Sequence, residues 1–194
     1  MKRLLFLWLL LAPSAWASLI LPVNIEKLAT NAQKVFMGTV LGNEEDYSGP
    51  SGIPAIRTRV RVEEMFKGVA STEIVIRQAA KKGPGGKLEV LFYGMPRFTP
   101  GDRVVVFLPK PSSIGFASPL ALGQGVFRFL NPAKPYNTLI ANESGNQTLF
   151  HGVKNTALLN RLKALGISGA ATTEHRPFTL VQLKDLVRAA GGNP

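Results

Sequence analysis

The chain has 194 residues, 23 Lys and Arg against 12 Asp and Glu, two His, no Cys, and a formal net charge of +11. That size suits one domain with a core of its own, and 45% hydrophobic against 18% charged residues argues against wholesale disorder. Without Cys there is no disulfide framework, zinc ribbon, thiol nucleophile or lipoprotein anchor; two His are poor material for a structural metal site, so no cofactor is expected.

Lys2 and Arg3, the apolar run Leu4 to Leu11, and Ala15-Trp16-Ala17 form the three parts of a secretory signal peptide, cut between Ala17 and Ser18. The run is shorter than the roughly 20 residues that span a bilayer. Residues 1–17 are therefore read as a leader and the mature chain as exported, basic and free of membrane spans. Export without Cys points to a bacterial periplasmic or secreted protein. Asn142-Glu143-Ser144 and Asn146-Gln147-Thr148 match the glycosylation pattern but are read as surface turn residues.

After the processing site, Asn24 caps a short helix carrying Ile25, Leu28, Ala29 and Ala32 at helical spacing. Val35 to Leu41 is β-rich, and the acidic, turn-rich stretch Glu44 to Pro54 reads as a loop. Next, Ile56, Thr58, Val60 and Val62 alternate with Arg57, Arg59, Arg61 and Glu63, the signature of a half-buried strand closed by Glu64 to Gly68. Strands are predicted at Glu73 to Arg77 and Leu88 to Tyr93, with a basic turn, Lys81 to Lys87, between them. Arg103 to Leu108 is apolar on both faces, as in a strand buried on both sides, and is ended by Pro109 and Pro111. Weaker strands are expected at Gly125 to Leu130, Asn137 to Ala141 and Thr148 to Phe150.

The period then turns helical. Leu158, Leu159, Leu162 and Leu165 form one stripe stopped by Gly166; Leu180, Leu183, Val187 and Ala190 form another stopped by Gly191, with Thr179 and Gln182 spaced as a capping box. Ser168 to Arg176 is a small-residue linker. The organisation predicted is a β domain over 18–150 and a helical extension over 151–194.

Val35 to Val40, the strand ending Val62-Glu63-Glu64-Met65-Phe66-Lys67-Gly68, Ile74 to Gln78, and Phe98-Thr99-Pro100-Gly101-Asp102 running into Arg103 to Leu108 follow one another in an order that resembles netrin-like modules. These are the OB-fold barrels that include the tissue inhibitors of metalloproteinases. With Ala117 to Arg128, the pattern is also similar to a group of uncharacterised exported bacterial proteins. The resemblance covers roughly residues 34 to 130 and implies a mainly β fold: a small OB-like, netrin-like β-barrel with a short N-terminal helix and C-terminal α-helices. The inhibitors chelate the protease zinc through a processed N-terminal Cys. This mature chain begins at Ser18 and has no Cys, so that wedge does not carry over.

Enzyme motifs fail on their spacing. Gly83 to Leu88 superficially resembles a phosphate loop, but Lys81 stands where a Gly is needed and Leu88 where a Ser or Thr is needed. Gly49-Pro50-Ser51-Gly52-Ile53 lacks the last Gly of a nucleophile elbow. His151 and His175 have no nucleophile or orienting carboxylate at a telling spacing.

The positive signals are two surfaces. Arg57, Arg59 and Arg61 line one side of a strand at intervals of about 6.6 to 6.8 Å, with Arg77, Lys81 and Lys82 beside them. They are candidates for an anionic envelope component or an acidic partner, while export argues against nucleic acid. Phe92, Tyr93 and Phe98 are candidates for an exposed apolar edge. The expectation is an exported, non-enzymatic interaction module engaging an envelope or exported protein such as a protease. Two alternatives stay open: a hydrolase acting on cell-envelope material through His151 or His175 and a Glu, and polyanion binding through the arginine face.

Overall fold

Consecutive apolar residues in the central strands, Val35-Phe36-Met37 and Val104 to Leu108, require burial on both faces, and the sheet bends to provide it. In the computed structural model, which describes residues 21–47, 52–131, 138–167 and 177–191, the elements are α1 (Ile25–Asn31), β1 (Lys34–Asp46), β2 (Ala55–Lys67), β3 (Glu73–Lys82), β4 (Leu88–Val90), β5 (Arg103–Leu108), β6 (Val126–Phe129), β7 (Leu139–Asn142), α2 (Thr156–Ala164), β8 (Phe178–Thr179) and α3 (Leu180–Ala189). All eight strands form one antiparallel sheet in the order β4-β3-β2-β1-β5-β6-β7-β8, curled into a half-barrel. The protein is therefore mainly β, a small OB-like fold with C-terminal helices.

The curl separates two cores. Phe36 and Val40 of β1, Val60 of β2, Ile76 of β3 and Val104 and Val106 of β5 fill the inside of the half-barrel. The opposite residues, Val35 and Met37 of β1 and Val105 and Phe107 of β5, face a second core shared with Ile25 and Leu28 of α1, Leu158 and Leu162 of α2, and Leu183 and Val187 of α3. Phe107, Phe127, Phe178 and Phe150 carry this core across β5, β6, β8 and the turn after β7, with centroids 5.6, 5.9 and 5.6 Å apart along the series. Gly38 lets the sheet bend: pairing with β2 shifts between Met37 and Gly38, where a Cβ would run into the Arg61 carbonyl and lie 2.8 Å from Val60 Cγ1.

Capping follows the sequence closely. Asn24 Oδ1 accepts from Lys27 N–H at 2.9 Å, and Thr179 with Gln182 forms the reciprocal capping box of α3. Several boundaries differ. Glu44 to Asp46 is not loop but the end of β1, because Glu44 and Asp46 face arginines on the neighbouring strands and cross-strand pairing outweighs the poor strand propensity of acids. Lys81 and Lys82 end β3 rather than open the turn, and Thr148 to Phe150 is a turn rather than a strand. The two-residue strand β8, which pairs with Leu139 and Ile140, was not predicted.

Candidate functional site

The outer face of β1, β2 and β3 carries the arginines. Arg57 lies 3.9 Å from Glu44; Arg59 lies 3.5 Å from Glu44 and 2.9 Å from Glu73. Glu73 and Glu44 hydrogen-bond the Arg59 guanidinium and hold its proton more firmly than usual. Arg103 lies 2.5 Å from Glu63, whose other oxygen accepts from the Thr39 hydroxyl at 2.5 Å. Burial pushes the Glu63 pKa up, but those hydrogen bonds and the nearby charges of Arg103 and Arg61 outweigh it and leave the carboxyl below its ordinary value. The face is a lattice of alternating charge, with Arg61 exposed among its members.

Arg77 does not join an exposed patch. Its guanidinium is 3.2 Å from Asp46, stacks 4.7 Å from the Phe116 ring and donates to the Ile114 carbonyl at 3.3 Å. Arg77 and Ala117 also exchange backbone hydrogen bonds, so the segment after β5 straps over the side chain and covers it.

The other predicted surface leads to a cleft of about 980 Å³ beside β4. After Val90 the chain leaves the sheet, so Leu91, Phe92 and Tyr93 form a turn, with Phe92 57% and Tyr93 86% exposed. Phe98 must be removed from this edge: it is 6% exposed and sits in the core inside the half-barrel. Lys81 and Arg97 line the same cleft, and Lys82 is exposed next to Lys81.

Buried amides build the opposite wall. Gln124 Nε2 donates to the Leu21 carbonyl at 3.0 Å and its Oε1 accepts from Val23 N–H at 2.9 Å, holding the N-terminal segment as a neighbouring strand would. Asn142 Nδ2 donates to the Gln124 carbonyl at 3.1 Å, and Asn142 and Asn146 exchange side-chain to backbone bonds at 2.9 and 2.8 Å. These asparagines are therefore not the surface residues expected: Asn142 is 6% and Asn146 1% exposed, and their amides close the turn between them. Arg128 adds a charged brace, 2.7 Å from Asp102 and 3.7 Å from Glu143, with its Nη2 donating to the Arg97 carbonyl at 2.5 Å.

Backbone strain collects here too. The non-glycine residues with left-handed φ among the described residues are Ala121 (49°), Leu122 (59°), Asn146 (65°) and Thr148 (56°). Ala121 and Thr148 line the cleft, and the other two sit in the same two turns. Such geometry costs on the order of 1 to 3 kcal/mol per residue and persists only where surrounding bonds enforce it.

His151 is exposed in a turn beside a 320 Å³ depression that Glu26 also lines. The Glu26 carboxylate accepts from the N–H groups of Lys154 and Asn155, at 2.6 and 3.2 Å. His175, Ala17 and Ser18 lie outside the described residues. Sequence reasoning missed Gln124, Asn142 and Asn146; a cluster of amide residues around Gly123, Gly125 and Gly145 was the available signal. Comparison with protein families, curated proteins and solved structures finds no match for this chain.

Proposed function

We propose that this protein is an exported, non-enzymatic interaction module that engages a protein partner, an exported protease being one candidate, through the cleft beside β4. The observation that carries this reading is the pairing of exposed aromatics, Phe92 and Tyr93, with a wall held in strained geometry by buried amides. Aromatic side chains present a large apolar area at low entropic cost and are enriched where proteins bind one another. A rigid facing wall reduces the ordering cost of binding.

Export rests on the leader before Ser18, and no helix among the described residues is long and apolar enough to cross a membrane. The netrin-like resemblance of residues 34 to 130 belongs to the same proposal: a barrel that offers its loops to partner proteins.

The test is capture from an envelope extract, at low and moderate salt, by the purified protein and by its Phe92→Ala/Tyr93→Ala variant. The expected result is one stoichiometric exported protein that survives moderate salt and is lost about tenfold or more with the variant. Recovery of only salt-sensitive polyanions, equally by both proteins, overturns the reading in favour of a general electrostatic surface.

A further inference from the structure

The hairpin of β3 and β4 leaves part of the sheet edge open inside the cleft. Leu91 N–H donates to the Ala79 carbonyl at 2.9 Å, whereas Ala80 N–H turns the other way, to the Pro54 carbonyl at 2.8 Å. With Ala80 opposite Val90 in the register, the alternation of an antiparallel ladder points the backbone groups of Leu88 and Val90 away from β3. Leu88 N–H is occupied by Glu45 Oε1 at 2.9 Å. The N–H and C=O of Val90 and the N–H of Phe92 have no such partner among the described residues.

This open edge has a surrounding that specifies a ligand. Val90, Glu89 and Arg97 line both the 980 Å³ cleft and one of 510 Å³, so the two adjoin along β4. Aromatic side chains flank the edge at Phe92 and Tyr93. The lining mixes charges, with Lys81, Arg97 and Arg128 facing Glu89 and Glu143. Arg128 is engaged by Asp102 and Glu143, whereas neither Lys81 nor Arg97 has a carboxylate within ion-pair distance among the described residues, in contrast to Arg57, Arg59 and Arg103 of the sheet face.

Resting on the reading of this cleft as an interaction site, we infer that the edge at Val90 to Phe92 takes an extended acidic peptide segment of the partner as an added strand. Its backbone pairs with Val90 and Phe92, about 4.7 to 4.9 Å from β4. Arg97 and Lys81 receive its carboxylates, and Leu91, Phe92 and Tyr93 contact its apolar side chains. Glu45 ends the docking edge at Leu88 by filling the hydrogen bond that a longer strand would use.

A random-sequence peptide display library selected on the purified full-length mature protein tests this, with enriched peptides remade synthetically. Expected are β-branched sequences containing Asp or Glu that slow hydrogen exchange at the Val90 and Phe92 amides. N-methylation of the peptide backbone at the pairing positions weakens them about tenfold or more. Val90→Pro removes an N–H that the β3 ladder does not use and has the same effect, while Arg97→Gln removes the preference for acidic peptides. A library without binders overturns the proposal. So do binders indifferent to N-methylation that leave both amides unprotected, an outcome that does not depend on the variants folding. If such binders are still lost with Phe92→Ala/Tyr93→Ala, edge pairing fails and the cleft reading stands; if they are indifferent to that change too, both fail.

Discussion

The outer face of β1 to β3 and the cleft beside β4 are built on opposite plans. The face is rich in charge: Glu44 and Glu73 meet Arg57 and Arg59, Glu63 meets Arg103, and Arg61 stands exposed beside them. The cleft carries fewer charges, exposed aromatics, left-handed backbone and a wall of buried amides. Exposed ion pairs contribute about 0.2 to 1 kcal/mol each and exchange readily with water. Buried amide bonds are costly to break because no water replaces them. Charge count therefore locates a solvated, largely self-compensated surface, and the departures from local preference locate the cleft proposed as the interaction site.

The largest expected effect is in the amide wall. Asn142→Ala leaves the backbone N–H groups of Ser144 and Asn146 without their acceptor and the Gln124 carbonyl without its donor. A loss of about 2 to 4 kcal/mol in unfolding free energy is expected, measured by chemical denaturation. A loss below about 0.5 kcal/mol would erase the contrast between wall and face. Thr148→Gly works in the other direction. A β-branched residue at φ 56° is strained, so glycine is expected to raise stability by about 1 kcal/mol while loosening the cleft wall.

The two plans were unequally legible in the sequence. Alternation in β2, the doubly apolar β5 and the capping box at Thr179 and Gln182 are local patterns, and local patterns place strands and helices. Glu44 to Asp46 was misread because propensity describes a residue alone, whereas their strand geometry comes from arginines on other strands. Leu91 to Tyr93 continues an apolar run and looks like strand, but its turn is fixed by contacts distant in sequence, such as the Gly123 N–H to the Gly94 carbonyl at 2.9 Å. Gln124 reaches 103 residues back to Leu21, a pairing that no window of sequence contains. The site escaped reading because its parts meet only in the fold.

A smaller effect separates paired from unpaired cations directly. Arg57→Ala/Arg59→Ala/Arg61→Ala and Lys81→Ala/Lys82→Ala/Lys87→Ala remove equal charge, so net charge alone predicts equal retention on a polyanion column. Because Glu44 and Glu73 occupy Arg57 and Arg59, the lysine triple variant is expected to elute at lower salt than the arginine one. The reverse order would restore the arginine face as the polyanion surface. Each triple variant should lose no more than about 1 to 2 kcal/mol of stability, as befits exposed positions.

The smallest effect lies where the two regions meet, at Glu45. Its carboxylate accepts from Leu88 N–H at 2.9 Å and from the Tyr47 hydroxyl at 2.9 Å. The Leu88 bond first, then the Tyr47 bond, holds the carboxyl below the ordinary glutamate range. Because the folded-state pKa is lowered, the contribution of this group is complete above the unfolded-state value and fades as pH falls through the folded-state value. Acidification through that window should therefore lower the protection of the Leu88 amide, its exchange compared with the intrinsic rate at the same pH, while leaving the protection of the β2 ladder amides unchanged. Glu45→Gln should show the lower protection already at neutral pH and no pH dependence of that protection, because an amide oxygen accepts a weaker bond without the charge. Once the carboxylate releases Leu88, the open edge of β4 lengthens by one outward-facing residue. The same acidification should then allow the hairpin to pair with a longer peptide, linking the latch at Glu45 to the length of strand the cleft accepts.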